Sequence, residues 1–230
     1  NRRLRHRAAP APGVGVPAAL EGAALIMWNL VANPFIGRRR LHWGTVGTEA
    51  TDSLPGDELV PEPKWSYTLG IAVGASPEDV WPWIAQIGQG RGGFYTYQTL
   101  ENMVGCKITN TTEILPAHQH PVVGDDISLH PTAPPIRVQI VDPPNALVLF
   151  GSPADIGAEQ SWGVSTWQFV VHGDHGDHDG GSRLLTRGRY DHSPDWKSRL
   201  AFGRFPIEAI SFVMSRKMML EIKRLAERDT

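Results

Sequence analysis

The sequence is poor in the features that mark several large protein classes. Its 230 residues hold one cysteine, Cys106, so no internal disulfide can form and no second thiol is present for a zinc site. Cys106 reads as a buried, inert thiol. An excess of one charge is also missing, because 22 Lys and Arg stand against 24 Asp and Glu, for a net charge of −2. A general nucleic-acid binder needs a basic face to meet phosphates, and this balance argues against one, local arginine clusters excepted. No uninterrupted apolar run reaches the ~20 residues of a membrane-spanning helix.

Signature motifs of several chemistries are absent too. There is no GxSxG nucleophile elbow, which removes the simplest route to a hydrolytic triad. Residues 88–93, GQGRGG, are glycine-rich but follow a helix pattern and lack the Lys-Ser/Thr ending of a phosphate loop, so they read as a flexible turn. The segment His172-Gly-Asp-His175-Gly-Asp-His178-Asp179 has metal-ligand residue types at three-residue steps, yet its glycines offer no rigid frame. It reads as a solvated loop, as His118 and His120 read as turn residues, and neither a metal nor a cofactor is expected. No internal repeat is present.

What the chain does contain is 41% hydrophobic and 20% charged residues with 24 Gly and 19 Pro, the texture of one globular domain built from short antiparallel strands. Its clearest element is the stretch from Phe205 to Arg228. There Ile207, Ile210, Met214, Met218, Ile222 and Leu225 recur at three- and four-residue steps, predicting an amphipathic helix of about six turns, with Pro206 at its start and basic residues near its end. Lys64 to Val73 alternates Trp65, Tyr67, Leu69 and Ile71 with smaller or polar residues, as a half-buried strand does. Ser76-Pro77-Glu78-Asp79 then signals a helix start, with Val80, Trp81, Ile84 and Ile87 as its apolar face and Pro82 keeping it short. A second helix is predicted over residues 95–104. Beyond Gly105, strands are predicted around Ile127 and Leu129, Ile136 to Ile140, Leu147 and Leu149, Trp167 to Val171, and Leu184 to Tyr190.

Four regions follow from this pass. Residues 1–17 read as a mobile arm, and residues 18–42 as a hydrophobic helix. Its apolar run is bracketed by Arg2, Arg3, Arg5 and Arg7 before it and Arg38, Arg39 and Arg40 after it. Trp28, Phe35 and the arginines are types that settle at headgroups, so a membrane-anchor remnant, an interfacial helix contacting a membrane surface through residues 18–40, and a helix packed on the domain all stay open. The first two would place a cytoplasmic protein at the inner face of the membrane. Residues 43–63 form an extended connector with a Leu54-Pro55-Gly56-Asp57 turn, and residues 64–230 the ligand-binding domain. The order strand, two helices, several antiparallel strands, long helix gives an α+β layout in which a curved sheet wraps the C-terminal helix and leaves a pocket.

The segments SPEDVWPWIAQIGQGRGGFYTYQTLEN at 76–102, GDDISLHP at 124–131, SRLLTRGRY at 182–190 and the terminal FVMSRKMMLEIKRLAE together resemble the SRPBCC superfamily. That group includes START-like lipid-binding domains, the birch-pollen-allergen type and polyketide cyclase/dehydratases. The RGGFYxY and LEN segments are similar to a bacterial, largely actinobacterial branch described only as polyketide-cyclase-like. The resemblance implies a helix-grip fold with a deep hydrophobic cavity. It implies a hydrophobic small-molecule partner, either a lipid, isoprenoid or polyketide that is bound or carried, or one that a cofactor-free enzyme cyclises or dehydrates; a membrane-tethered interaction domain is the third reading.

Within such a pocket, the sequence nominates walls and chemistry. Trp81 and Trp83 of the first helix, Ile127, Leu129, Val138 and Leu149 of the middle strands, Trp167 and Phe169 of the next strand, and Ile210, Met214 and Met218 of the long helix are the expected lining. The expected polar groups are Arg91, Tyr95 and Tyr97 near the mouth, Glu101 beside them, and Arg187 with Arg189 on the last strand. Tyrosine hydroxyls and a guanidinium can polarise a carbonyl or hold an enolate, as ring closure and dehydration require. The competing reading has the arginines paired with acids on the outer face and the tyrosines packed with only their tips in water.

Overall fold

The structure is a computed structural model, and it describes residues 13–31, 39–152, 162–173 and 180–228. In chain order its elements are α1 (Val16–Val31), β1 (Trp65–Val73), α2 (Pro77–Ala85), α3 (Gln98–Met103), β2 (Asp126–Ile127), β3 (Ile136–Asp142), β4 (Ala146–Gly151), β5 (Gly163–Gly173), β6 (Ser182–His192), α4 (Trp196–Phe202) and α5 (Arg204–Ala226). The six strands form one antiparallel sheet in the order β1-β6-β5-β4-β3-β2. A curved sheet with the long C-terminal helix on one face and two short helices after the first strand is the α+β helix-grip fold that the sequence predicts.

Local chemistry places most of these elements. Ser76 caps α2 by accepting from the Asp79 amide, and Pro77 occupies the first turn, where its missing N–H costs nothing. The period-2 alternation of β1 puts Trp65, Tyr67 and Leu69 on the inner face, and Leu184 and Tyr190 of β6, Trp167 and Phe169 of β5 and Leu147 and Leu149 of β4 share that face. The C-terminal half of α5 closes over one end of this sheet. Met218, Met219, Ile222 and Leu225 are buried there in a core that also holds Val80, Trp83 and Ile84 of α2.

Several expectations need correction. The helix predicted over 95–104 begins only at Gln98, because Tyr95 has a left-handed φ of 58° and the Asn110 side chain accepts hydrogen bonds from the Phe94 and Tyr95 amides. The 88–93 turn is tightly held: Gly88 and Gly93 bridge each other, and the Gly92 amide donates to Gln86 O at 2.6 Å. An additional short helix, α4, is capped by Asp195, whose side chain accepts from the Lys197 and Ser198 amides. Phe205 interrupts the start of α5 with an extended backbone conformation.

The N-terminal regions are the larger correction. Residues 43–63 are no extended arm. Leu41 and Trp43 carbonyls accept from the Thr68 and Gly70 amides along the open edge of β1, and the following residues lie across the outer face of the sheet as a strap. Residues 13–17 are tied down, since the Thr99 amide donates to Gly13 O and the Gly15 amide to Thr99 Oγ1. Residues 1–12 of the expected arm lie outside the described residues. Helix α1 packs on α3 and α5, with Gly22 against the Tyr97 ring, and Arg40 binds Asn29 O at 2.6 Å and Glu208 at 3.0 Å. No helix among the described residues is long and apolar enough to cross a membrane. Phe35, Arg38 and the metal-type loop residues His175, His178 and Asp179 fall outside the described residues.

Candidate functional site: a cavity under the long helix

The two ends of the groove between sheet and α5 differ. Where α2 enters, bulky side chains fill it; toward the N-terminal half of α5 they do not, and a cavity of about 370 Å³ remains. Its floor is Tyr67, Tyr190, Trp167, Leu149, Ile136 and Leu129, its roof Ile210, Met214 and Met218, and its rim Phe94, Val104 and Cys106. Gly188 is needed beneath it: a Cβ there would sit 2.5 Å from the Tyr67 ring, so only glycine lets that ring lie across β6. Trp167 is braced from two sides, by Phe169 at 4.8 Å and Phe94 at 6.1 Å between ring centroids.

Besides Ser165 and Thr166 of β5, two polar groups interrupt the apolar lining. One is Thr96, Glu101 and Cys106. Glu101 is only 8% exposed, and burial raises its pKa above the ordinary glutamate value, partly opposed by the nearby Thr96 hydroxyl. Glu101 Oε2 and Thr96 Oγ1 are both buried from solvent, and among the described residues neither meets strict hydrogen-bond geometry with a third group. Burial, reinforced by the Glu101 charge, pushes the Cys106 thiol up as well, away from the reactive thiolate. The second group is Tyr67, Tyr190, Ser211 and Ser215, in which the Tyr67 hydroxyl lies 3.5 Å from Ser215 Oγ. Burial, the first cause, raises both tyrosine pKa values and keeps the phenols neutral.

The predicted site residues divide. Glu101, Leu129, Leu149, Trp167, Ile210, Met214 and Met218 line the cavity. Trp81, Trp83, Ile127, Val138 and Phe169 do not; they are buried in the adjoining core, where α2 and the middle of the sheet pack solidly. The polar candidates are not brought together around the cavity. Arg91 turns back to donate to Ala85 O at 2.9 Å and His118 O at 3.4 Å. Tyr95 is fully buried edge-on to Trp83, its hydroxyl accepting from Gln86 at 2.9 Å and its pKa raised by burial. Tyr97 faces α1, donating to Glu21 at 3.4 Å beneath the Lys217 ammonium, and burial followed by the Glu21 charge pushes its pKa to about 12.

Arg187 is the firmest correction, because it points through the opposite face of the sheet. It donates to Asp57 at 2.6 Å, Thr68 Oγ1 at 2.8 Å and Asp52 O at 2.9 Å, all in or beside the strap. Arg189 joins the same Asp57 at 3.3 Å, and Arg183 pairs with Glu49 at 2.7 Å. Tyr67, Tyr190, Phe94, Ile136 and Cys106 are lining residues that the sequence reading missed. A signal for two of them was present: Tyr190 shares strand parity with Leu184 and Tyr67 with Leu69, the apolar face, whereas Arg187 does not.

No family model matches the chain, and no curated protein matches it. Among solved structures, a Helicobacter pylori hypothetical protein is similar at 10% identity and a TM-score of 0.45, over 78% of this chain and 98% of that one. A Mesorhizobium loti protein is similar at 13% identity and a TM-score of 0.39, over 72% and 99%. Norcoclaurine synthase from Thalictrum flavum is similar at 15% identity and a TM-score of 0.32, over 76% and 98%. These likenesses are distant, and the helix-grip assignment rests on strand order and the position of α5.

Proposed function

We propose that this chain binds a mostly apolar small molecule, of lipid, isoprenoid or polyketide type, between the sheet and α5. The observation that carries the reading is the cavity of about 370 Å³, within the few-hundred Å³ range of small-molecule sites and floored by aromatic and aliphatic side chains. The segments similar to the bacterial polyketide-cyclase-like branch of the SRPBCC superfamily support the same reading. An apolar ligand entering beside Trp167 changes tryptophan emission, and native mass spectrometry detects the complex. Met214→Trp, which fills the cavity from its roof, is expected to weaken binding by about tenfold or more with little loss of stability. Unchanged affinity in that folded variant would place the ligand elsewhere.

The enzymatic alternative, cofactor-free cyclisation or dehydration, now draws on different donors. Arg91, Tyr95, Tyr97 and Arg187 are held away from the cavity, so the candidates to meet a substrate carbonyl are Glu101 and the lining hydroxyl residues, Tyr67, Tyr190, Ser211 and Ser215 among them. Turnover of a polyketide-like substrate that Glu101→Gln slows about 100-fold without a matching loss of affinity would establish it.

A second reading concerns α1, where Leu20, Met27, Trp28 and Val31 are exposed on one side while Ala19, Gly22 and Asn29 face the domain. We propose that this stripe, with the arginines that flank it in sequence other than the buried Arg40, rests on the inner face of an anionic membrane in the cytoplasm. Deleting residues 1–40 is a poor test, because it also removes the Arg40–Glu208 pair. Replacing Met27 and Trp28 by Ser leaves that pair in place. If the reading holds, the double variant loses sedimentation with anionic vesicles; retained sedimentation would remove it.

A further inference from the structure

We infer that α4, together with the chain that joins it to α5, is a docking ridge for an anionic lipid bilayer, separate from the α1 stripe. One side of α4 is fixed to the domain. Ser198 Oγ accepts from the Ser193 hydroxyl at 2.8 Å, Phe202 O accepts from the Trp65 indole at 2.7 Å, and the Phe202 ring lies so close to Gly163 that a Cβ there would sit 2.3 Å from it. At about 100° per residue, Trp196 and Leu200 then point the opposite way, with Arg199 on one flank and Lys197 on the other. Trp196 is 70% exposed, Leu200 57%, and Phe205, just beyond Gly203, 61%. Single exposed apolar residues are common on any surface, but an i, i+4 pair held outward by a packed opposite side is a ridge.

The charge beside the ridge selects its partner. From Trp196 to Ile207 the chain carries the cations Lys197, Arg199 and Arg204 and no acid. Lys197 and Arg199 have no acidic partner among the described residues, and the Lys197 ammonium lies 5.9 Å from the Trp196 ring centroid. Arg204 reaches Glu208, which is buried and also held by Arg40, so no negative charge is presented there. Aromatic and aliphatic tips between long cationic side chains match a bilayer interface, where the rings sit at headgroup level and the cations meet anionic lipids. A protruding ridge enters a soft surface directly, whereas a folded protein would need a groove of matching shape to cover it. Farther along α5, Ile210 is both exposed and part of the cavity roof. On the cavity reading above, a docked chain therefore holds that roof near a reservoir of apolar small molecules; the docking itself does not depend on that reading.

Sedimentation of the full chain with vesicles tests the assignment, using phosphatidylcholine alone and phosphatidylcholine mixed with phosphatidylglycerol. The wild type is expected to bind the mixed vesicles about tenfold or more tighter than the neutral ones. Trp196→Ser with Leu200→Ser should weaken binding to the mixed vesicles by about tenfold or more at an unchanged urea midpoint, because both side chains are already in water in the free chain. Lys197→Gln with Arg199→Gln should weaken binding to the mixed vesicles by about tenfold and to the neutral ones by less than about twofold. No binding of the wild type to mixed vesicles, equal binding to both kinds, or undiminished binding by either double variant would overturn the assignment. Met27→Ser with Trp28→Ser separates the ridge from α1: if that variant alone loses binding, α1 is the docking surface and α4 is not. A wild-type dimer that forms without vesicles and that Trp196→Ser with Leu200→Ser dissociates would make the ridge a contact between two copies of the chain, and would overturn the bilayer as its occupant.

Discussion

The two faces of the sheet are both covered, but by opposite chemistry. On the inner face, β1, β4, β5 and β6 present Tyr67, Leu149, Trp167 and Tyr190 to a partly empty groove under α5. On the outer face, the same strands present Thr68, Gln168, Arg183, Arg187 and Arg189 to the strap, where Asp57 and Glu49 meet them. The inner cover leaves a cavity, whereas the outer cover meets the sheet through ion pairs and hydrogen bonds. A chain that keeps its charges on the strap's side can leave the other side apolar and open, which is what a binding cavity requires. The difference also teaches that an arginine on a strand next to a pocket is evidence about a ligand only once its parity has been checked. Arg187 sits one residue from the cavity's face and belongs wholly to the other.

If the outer face is structural, breaking it should unfold the domain without touching the ligand. Asp57→Ala leaves Arg187, Arg189 and Gln168 without their shared acceptor. The expected loss is about 3–5 kcal/mol of stability in urea titrations, the usual result of removing one member of a buried ion pair. Ligand affinity of the folded fraction should stay within about twofold, and a large change there would tie the strap to the cavity. Thr68→Val tests the same face more gently. It keeps the side-chain volume but removes the acceptor of the Arg187 Nε–H, so a loss of about 1.5–3 kcal/mol is expected.

On the inner face the expected effects are smaller. Tyr67→Phe removes a long 3.5 Å contact to Ser215 and should change stability by less than about 1 kcal/mol, while altering the affinity of ligands that reach that corner. A loss as large as that of Asp57→Ala would mean that the cavity wall is as rigidly specified as the strap. Glu101→Gln is expected to act through pH. Burial raises the folded-state pKa of Glu101 above the unfolded value, so its contribution to stability is fully present below about pH 4.5 and is lost as pH rises through the folded-state value. The variant does not titrate there, so its stability relative to the wild type should increase with pH across that window. Urea midpoints between pH 4 and pH 8 measure it, and parallel curves would show that Glu101 is not held in a disfavoured charge state.

By itself the sequence determined the elements and most of their faces. Alternation in residues 65–73, the Ser76-Pro77 start of α2 and the Met218, Ile222, Leu225 stripe of α5 are local patterns, and each is realised because a buried face needs apolar residues at the period of its own backbone. The polar identities on those faces were legible too, including the parity that separates Tyr190 from Arg187. What only the tertiary structure decided is what covers each face. Asp57 meets Arg187 across 130 residues of sequence, Arg40 meets Glu208 across 168, and no periodicity carries information over such separations. The same limit explains the cavity residues. Trp83 and Trp167 have equal claims as pocket walls in the sequence, but the bulk of α2 fills one end of the groove, while Gly151, Ser165, Ser211 and Ser215 line the end that stays open. Which volume stays empty is set by the sum of side chains from segments distant in sequence, a quantity that exists only after they have packed.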